Sequence, residues 1–208
     1  MNSPSKGHKN KLPHNWLVYT IGDKFIKKHS SMYKGTLVDL GCGDAPFKSY
    51  FLQFANKYIG VDWSDSLHQT RADVISDLNK FINLENEIAD TVVTFSVLEH
   101  LSEPQKFLDE ANRILKSNGN LILQVPWQWH IHEAPFDYFR YSPFGLKHLL
   151  KKSGFEDINI EAQSGVFTTL SLKFNYFLVR CIYKRKPLIK YFFALLFFPF
   201  LVKKFACA

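Results

Sequence analysis

Two short stretches of this sequence combine residue types that can do chemistry. The first is Val38-Asp39-Leu40-Gly41-Cys42-Gly43-Asp44. Gly41 and Gly43 lack Cβ atoms, so the backbone there can bend sharply and approach a ligand closely. A dinucleotide loop needs a third glycine, in the order G-x-G-x-x-G, to bring a helix N-terminus against a pyrophosphate. Here Asp44-Ala45-Pro46 follow instead. An acid inside the loop repels a diphosphate and attracts a cation. The second stretch, residues 126–143, holds His130, His132, Glu133, Asp137, Arg140 and six aromatics between two prolines. Rings beside acids and an Arg suit a polar, ring-shaped substrate such as a sugar.

The elements that would position these stretches alternate. Thr36–Leu40, Lys57–Asp62, Ala72–Asp77, Thr91–Ser96, Asn120–Val125 and Glu156–Glu161 read as six strands, bounded by turn residues. Pro46, Pro104 and Pro143 each suit the first turn of a helix. The first of these helices is expected to run to about Ala55, the second to about Lys116, closing at Asn118-Gly119, and the third to end at Ser153-Gly154. A further helix is expected over Leu12–Met32, with a break possible at Gly22. Strands separated by helices predict an α/β fold: a doubly wound, mostly parallel sheet with helices on both faces. Ligands of such sheets bind outside the carboxyl ends of the strands, which is where both stretches fall.

Asp39-Leu40-Gly41-Cys42-Gly43 resembles the first motif of class I S-adenosylmethionine (SAM)-dependent methyltransferases, a Rossmann-like family. The resemblance runs from about residue 16 to 161. Asp62, ending the second strand, matches the acid that accepts the ribose hydroxyls in that family. Asp77-Leu78 falls where the family places an acid near the adenine amino group. Ser96-Val97-Leu98-Glu99-His100-Leu101 resembles the segment after strand four, and Arg113-Ile114-Leu115-Lys116 with Gly119 the helix end before strand five. The resemblance implies SAM as cofactor, bound by Asp39, Gly41, Cys42, Gly43, Asp62, Trp63, Asp77, Leu78 and Ser96. SAM carries a sulfonium cation, an amino acid head, two hydroxyls and an adenine, and carboxylates with close backbone approach suit it. Trp63 would cover one adenine face, or serve as core as large aromatics usually do. Cys42 reads as a packing residue, since nothing nearby in sequence activates it.

The reaction implied is an in-line displacement at the methyl carbon, in which positioning outweighs oxyanion stabilisation because charge disappears. An oxygen or nitrogen acceptor can still need a base. His132 or Glu133 is the candidate base, then Asp137, with Arg140 as substrate clamp. The alternative is that Glu133, Asp137 and Arg140 form an internal salt-bridged loop. A metal site from His130, His132 and Glu133 is disfavoured, because no further Cys or His cluster completes the ligand set. His100 reads as a positioned neighbour rather than a base. Residues 126–143 also resemble a stretch of a methyltransferase group associated with polysaccharide biosynthesis, which implies a small-molecule or glycan acceptor, such as a lipid-linked sugar.

The net charge of +7 divides unevenly. Residues 1–34 carry +6, residues 35–161 carry −7, and residues 162–208 carry +8 with no acid at all. The acidic middle argues against nucleic acid as partner, since it repels phosphate around the site itself. The expected organisation is a basic arm and helix over 1–34, a SAM-binding domain over 35–165 and a basic, Phe-rich tail over 166–208. The tail offers an amphipathic helix from Lys173 to Lys184 and a 12-residue uncharged run from Tyr191 to Val202. A spanning helix needs ~20 apolar residues. Basic flanks beside Phe therefore suit a membrane surface contacted through residues 173–208, with a lid, a seventh strand or an oligomer contact as alternatives. Three widely spaced cysteines (Cys42, Cys181, Cys207) suggest a reducing compartment. No secretory signal is apparent. The expected location is cytoplasmic, peripheral on the inner face of the membrane. The competing readings are a non-catalytic membrane adaptor on the same fold, which intact Gly41, Gly43 and Asp62 disfavour, and a nicotinamide oxidoreductase, which the missing glycine disfavours.

Overall fold

Apolar runs of five to seven residues bounded by polar turns make strands that bury both faces, and here they build one parallel sheet. The computed structural model describes residues 3–64 and 70–183. The strands are β1 (Thr36–Leu40), β2 (Lys57–Asp62), β3 (Val74–Ile75), β4 (Ala89–Phe95) and β5 (Leu115–Gln124), in the order β3-β2-β1-β4-β5. Every pairing is parallel: Val38 sits opposite Ile59 of β2 and Val92 of β4. The order reverses direction between β1 and β4. The carboxyl ends of those two strands therefore flank the crevice where such sheets bind ligands. This is the expected Rossmann-like fold.

The helices follow their sequence signals with instructive exceptions. Pro104 opens α3 (Pro104–Ile114), whose Phe107, Leu108, Ala111 and Ile114 are buried on one face. Pro143 opens α4 (Pro143–Lys152), and Ser142 caps it by accepting the Gly145 amide at 3.1 Å. Between β1 and β2 only Lys48–Phe51 (α2) is regular helix, shorter than the run to Ala55 expected from Pro46. Helix α3 stops at Ile114 rather than Lys116, because Leu115 already pairs with Ala89 and starts β5. Residues 156–161 form no strand among the described residues. Ile158 and Ile160 pack on the core without joining the ladder, so the sixth strand is corrected to an extended connection. The core lies under the sheet's β1, β2 and β4, where Val38, Leu40, Val61 and Val92 are fully buried.

The described residues fall into two compact units, one within 3–7 and 28–160, the other within 8–27 and 161–183. The first holds the sheet. In the second, α1 (Trp16–Lys28) runs through Gly22 without a break, and α5 (Val166–Tyr183) carries Tyr176, which meets His14 edge-on at 5.0 Å. Tyr19 is half-buried, and desolvation followed by the charge of Tyr176 pushes its phenol up to about 12. Phe167, Leu170, Phe174 and Phe177 of α5 share one exposed stripe at helical spacing. No helix of the described residues is long and apolar enough to cross a membrane. The uncharged run Tyr191 to Val202 lies outside the described residues.

Candidate functional site

The glycine loop is built by backbone. Past the end of β1, the amides of Gly41 and Cys42 both donate to the Val61 carbonyl, at 2.8 and 3.1 Å. This turns the chain over the end of β2 and requires φ of +81° at Gly41. A Cβ at that position would also lie 2.3 Å from Val97 Cγ2, so glycine is needed twice over. Gly43 has φ of +52° and open space where a side chain would be. Its amide donates to Asp62 Oδ2 at 2.6 Å, while Asp62 Oδ1 accepts from Trp63 at 2.8 Å. Asp62 thus ties the glycine loop to the end of β2.

The other residues expected around the cofactor are distributed between loop, core and turn. Asp39 is 3% exposed and accepts from the Tyr58 hydroxyl at 2.7 Å. Burial pushes its carboxyl up to about 7, the Tyr58 bond opposes this, and the charge of Asp62 adds to it. Cys42 is buried with its sulfur where a Cβ on Gly60 would stand, and burial followed by the charges of Asp39, Asp62 and Asp73 holds its thiol protonated. Trp63 is half-buried and meets Phe136 edge-on at 5.4 Å. Leu78 belongs to the core. Asp77 closes a turn, accepting from the Asn79 amide at 2.9 Å and pairing with Lys80 at 3.1 Å. Burial pushes its carboxyl up, but those bonds outweigh it and hold it below the usual range. Ser96 ends β4 at φ of +55°, exposed, its amide donating to Gln124 O at 2.9 Å.

The aromatic stretch after β5 is stitched to the turn after β4. The amides of Tyr138 and Phe139 donate to Glu99 O at 2.9 and 3.2 Å. The Tyr141 hydroxyl donates to Leu98 O at 3.0 Å. His100 Nδ1 lies 2.8 Å from Phe136 O. These bonds bring His132 and His100 together, ring centroids 4.7 Å apart, with Glu133 Oε2 3.8 Å from His100 Nε2. Desolvation, followed by the charge of His100, lowers the His132 imidazole from its ordinary value. It therefore favours the neutral form that a base requires.

Asp137 and Arg140 are placed differently. Arg140 grips both oxygens of Asp137, at 2.5 and 2.7 Å, and the Asp137 side chain is only 2% exposed. Asp137 also accepts from the His132 amide at 2.9 Å. The hydrogen bonds from Arg140 hold its carboxyl well below the usual range despite burial. This pair holds the loop in shape, with Arg140 additionally bonding the carbonyls of Phe139 and His130. Glu133 stands apart from that pair, exposed and facing His100.

Two residues outside the expected set sit in the site. Tyr58 is one; it lies two residues along β2 from Gly60, the partner of Asp39, and so projects on the same face. Glu99 is the other. It is fully buried, and no other described residue donates a hydrogen bond to either carboxylate oxygen. Burial pushes its carboxyl up to about 8, against its own amide and the charge of Arg140. The sequence signal for Glu99 was its place beside His100 after a strand.

A parallel sheet in this order, with a glycine loop tied to an acid at the end of β2, defines a nucleoside-binding domain of the methyltransferase type. The methyltransferase domain family matches residues 22–160. The chain belongs to that family, and its cofactor is S-adenosylmethionine. It is 25% identical over 143 residues to a probable S-adenosylmethionine-dependent methyltransferase of Mycolicibacterium smegmatis, covering 63% of this chain and 54% of that one. It is 29% identical over 169 residues to a tRNA U34 carboxymethyltransferase of Vibrio cholerae, covering 66% of this chain and 50% of the relative. The chain thus spans about half the length of these relatives. Phosphoethanolamine N-methyltransferase 2 of Haemonchus contortus, solved with S-adenosyl-L-methionine, shares the fold at a TM-score of 0.60 and 16% identity, covering 99% of this chain and 57% of that one.

Proposed function

We propose that this protein transfers the methyl group of SAM to a small polar acceptor, a hydroxyl-rich glycan or lipid-linked sugar. The observation that carries the reading is the fastening of the ring- and acid-rich stretch 127–141 onto the turn after β4, beside the cofactor loop of the same sheet. Asp62, Gly41, Gly43 and Asp39 would serve the cofactor, with Trp63 and Leu78 near the adenine, Asp77 toward its amino group, and Cys42 and Ser96 lining the loop ends. His132 or Glu133 would take the acceptor proton. Asp137 and Arg140 would shape the loop, with Arg140 also available as a clamp. In the displacement the acceptor oxygen forms the new bond to the methyl carbon, the carbon–sulfur bond breaks toward sulfur, and the proton goes to the base.

The exposed stripe Phe167, Leu170, Phe174 and Phe177, together with the acid-free +8 charge of residues 162–208, supports a membrane-surface contact that would place the enzyme near lipid-linked acceptors. An RNA acceptor is the second reading, favoured by the likeness to the tRNA-modifying relative and disfavoured by the −7 charge of residues 35–161. Incubating lysate fractions with tritiated SAM and the purified chain tests both. Label is expected in the lipid-linked glycan fraction. Label confined to RNA would replace the first reading with the second, and no label in any fraction would remove the enzyme.

A further inference from the structure

We propose that Glu99, His100 and His132 form a binding site for a divalent first-row transition-metal ion, with Glu133 as a fourth ligand. One ligand atom from each of the first three lies within 4.8 Å of the others. His100 Nε2 is 3.7 Å from Glu99 Oε1 and 3.8 Å from Glu133 Oε2. Ligands about 2.1 Å from a tetrahedral ion stand about 3.4 Å apart, so the two pairs at His100 need to close by a few tenths of an ångström, and His132, within 4.8 Å of the others, by about 1 Å through side-chain rotation.

Three further observations point to an ion rather than to a chance gathering. First, Glu99 is fully buried and its carboxylate oxygens receive no hydrogen bond from another described residue. Burying such a group without a partner is costly, and coordination of a cation is one of the few arrangements that compensates it. Second, the far nitrogen of His100 faces an acceptor. His100 Nδ1 is 2.8 Å from Phe136 O. An imidazole whose one N–H is directed to a carbonyl or carboxylate presents its other nitrogen as a lone pair, the arrangement that accompanies metal-ligating histidines. Third, two carboxylates and two neutral imidazoles balance a doubly charged ion.

The donor set suits Zn2+, Fe2+ or Mn2+ better than Mg2+, which prefers oxygen ligands and retained water. His130 lies outside this cluster. The ligands missing from the local His130-x-His132-Glu133 run come from the turn after β4. With the ion bound, the lone pairs of His132 and Glu133 are engaged and neither would take the acceptor proton; four protein ligands close a tetrahedral shell, and the ion would fasten the loop after β5 to the turn after β4.

The test uses the full, untagged chain, stripped with chelator and dialysed against Zn2+ or Co2+ alone. One ion per chain is expected by mass spectrometry, with visible Co2+ bands of a site of low coordination number. Glu99→Gln and His132→Ala should each weaken binding at least 10-fold, and His130→Ala should leave it unchanged. Circular dichroism shows whether Glu99→Gln folds; His132→Ala alters a partly exposed loop and carries the test if it does not. No ion above the buffer blank, or equal loss in His130→Ala and His132→Ala, would overturn the proposal. Calorimetry with SAM on the same samples separates failure of the metal site from failure of the methyltransferase reading.

Discussion

The glycine-loop end of this sheet and the end proposed to take the acceptor are built by different means. At the first, backbone does the work: two amides on the Val61 carbonyl, one amide on Asp62, and a left-handed Gly41. At the second, side chains add most of the fastening to the two amides on Glu99 O: the Arg140–Asp137 pair, the Tyr141 hydroxyl, and two imidazoles in a ring contact. A backbone site tolerates few substitutions and recognises one fixed shape. A side-chain site on a loop can be rewritten residue by residue while the sheet stands, which is how one fold hosts many acceptors.

If that contrast holds, Gly41→Ala should be the most damaging single change. It forces a residue with Cβ into positive φ, costing about 1–2 kcal/mol. It also drives that Cβ into Val97, adding about 1–3 kcal/mol. Gly43→Ala, with open space around it, should cost only the first amount. Denaturant unfolding of both variants checks this; equal losses would show that the Val97 contact is not what fixes the loop.

Asp39→Asn should act in the other direction. Its folded carboxyl titrates at about 7, above the ordinary value of 3.8, so the native state binds the extra proton between those values. The wild type therefore loses stability as pH rises from about 4 to 7, by up to about 1.4 kcal/mol per pH unit, and regains none above it. Asparagine still accepts from Tyr58 and carries no charge. The variant should be more stable than wild type at pH 8 and should lose its advantage near pH 4. An advantage independent of pH would show that ionisation of Asp39 is not the cause.

Asp62 is the side chain on which the glycine-loop end closes. Asp62→Ala removes the acceptor of the Gly43 amide and the proposed ribose contact. Charged hydrogen bonds contribute about 1.5–3 kcal/mol, so SAM should bind roughly 10- to 150-fold more weakly by calorimetry. His132→Ala should change that affinity far less, and the reverse order would exchange the roles of the two ends.

The same division explains what could be read from sequence. The glycine loop and Asp62 are 19 residues apart on adjacent strands, and the pattern of strand, glycine and acid is local enough to read directly. The Ser142-Pro143 start of α4 is local too. The acceptor end depends on contacts such as Tyr141 to Leu98, 43 residues apart, which no spacing rule announces. Glu99 looked like a neighbour of His100; only the fold shows that its carboxylate is sealed in. The alternation of Ile158 and Ile160 correctly indicated residues facing the core. It could not indicate whether the extended segment finds a strand to pair with, because period-2 patterning reports the direction of side chains and not the ladder.

The smallest of these effects is the sharpest test of the fastening between the two turns. Tyr141 is 9% exposed and its hydroxyl donates to Leu98 O, so Tyr141→Phe keeps the ring and removes one hydrogen bond. The expected cost is about 1 kcal/mol, with a drop in Tm of about 2–4 °C. Because Tyr138 and Phe139 hang on the neighbouring Glu99 carbonyl, their amides should exchange with solvent faster in this variant. SAM affinity should stay at the wild-type value, since the glycine loop is held by Val61, Asp62 and the Arg71 amide, none of which touches Tyr141. Faster exchange at Tyr138 and Phe139 with unchanged SAM binding would show that the two ends are fastened independently. A matching loss of SAM affinity would show instead that the acceptor loop carries part of the cofactor site, through the Trp63–Phe136 contact that joins them.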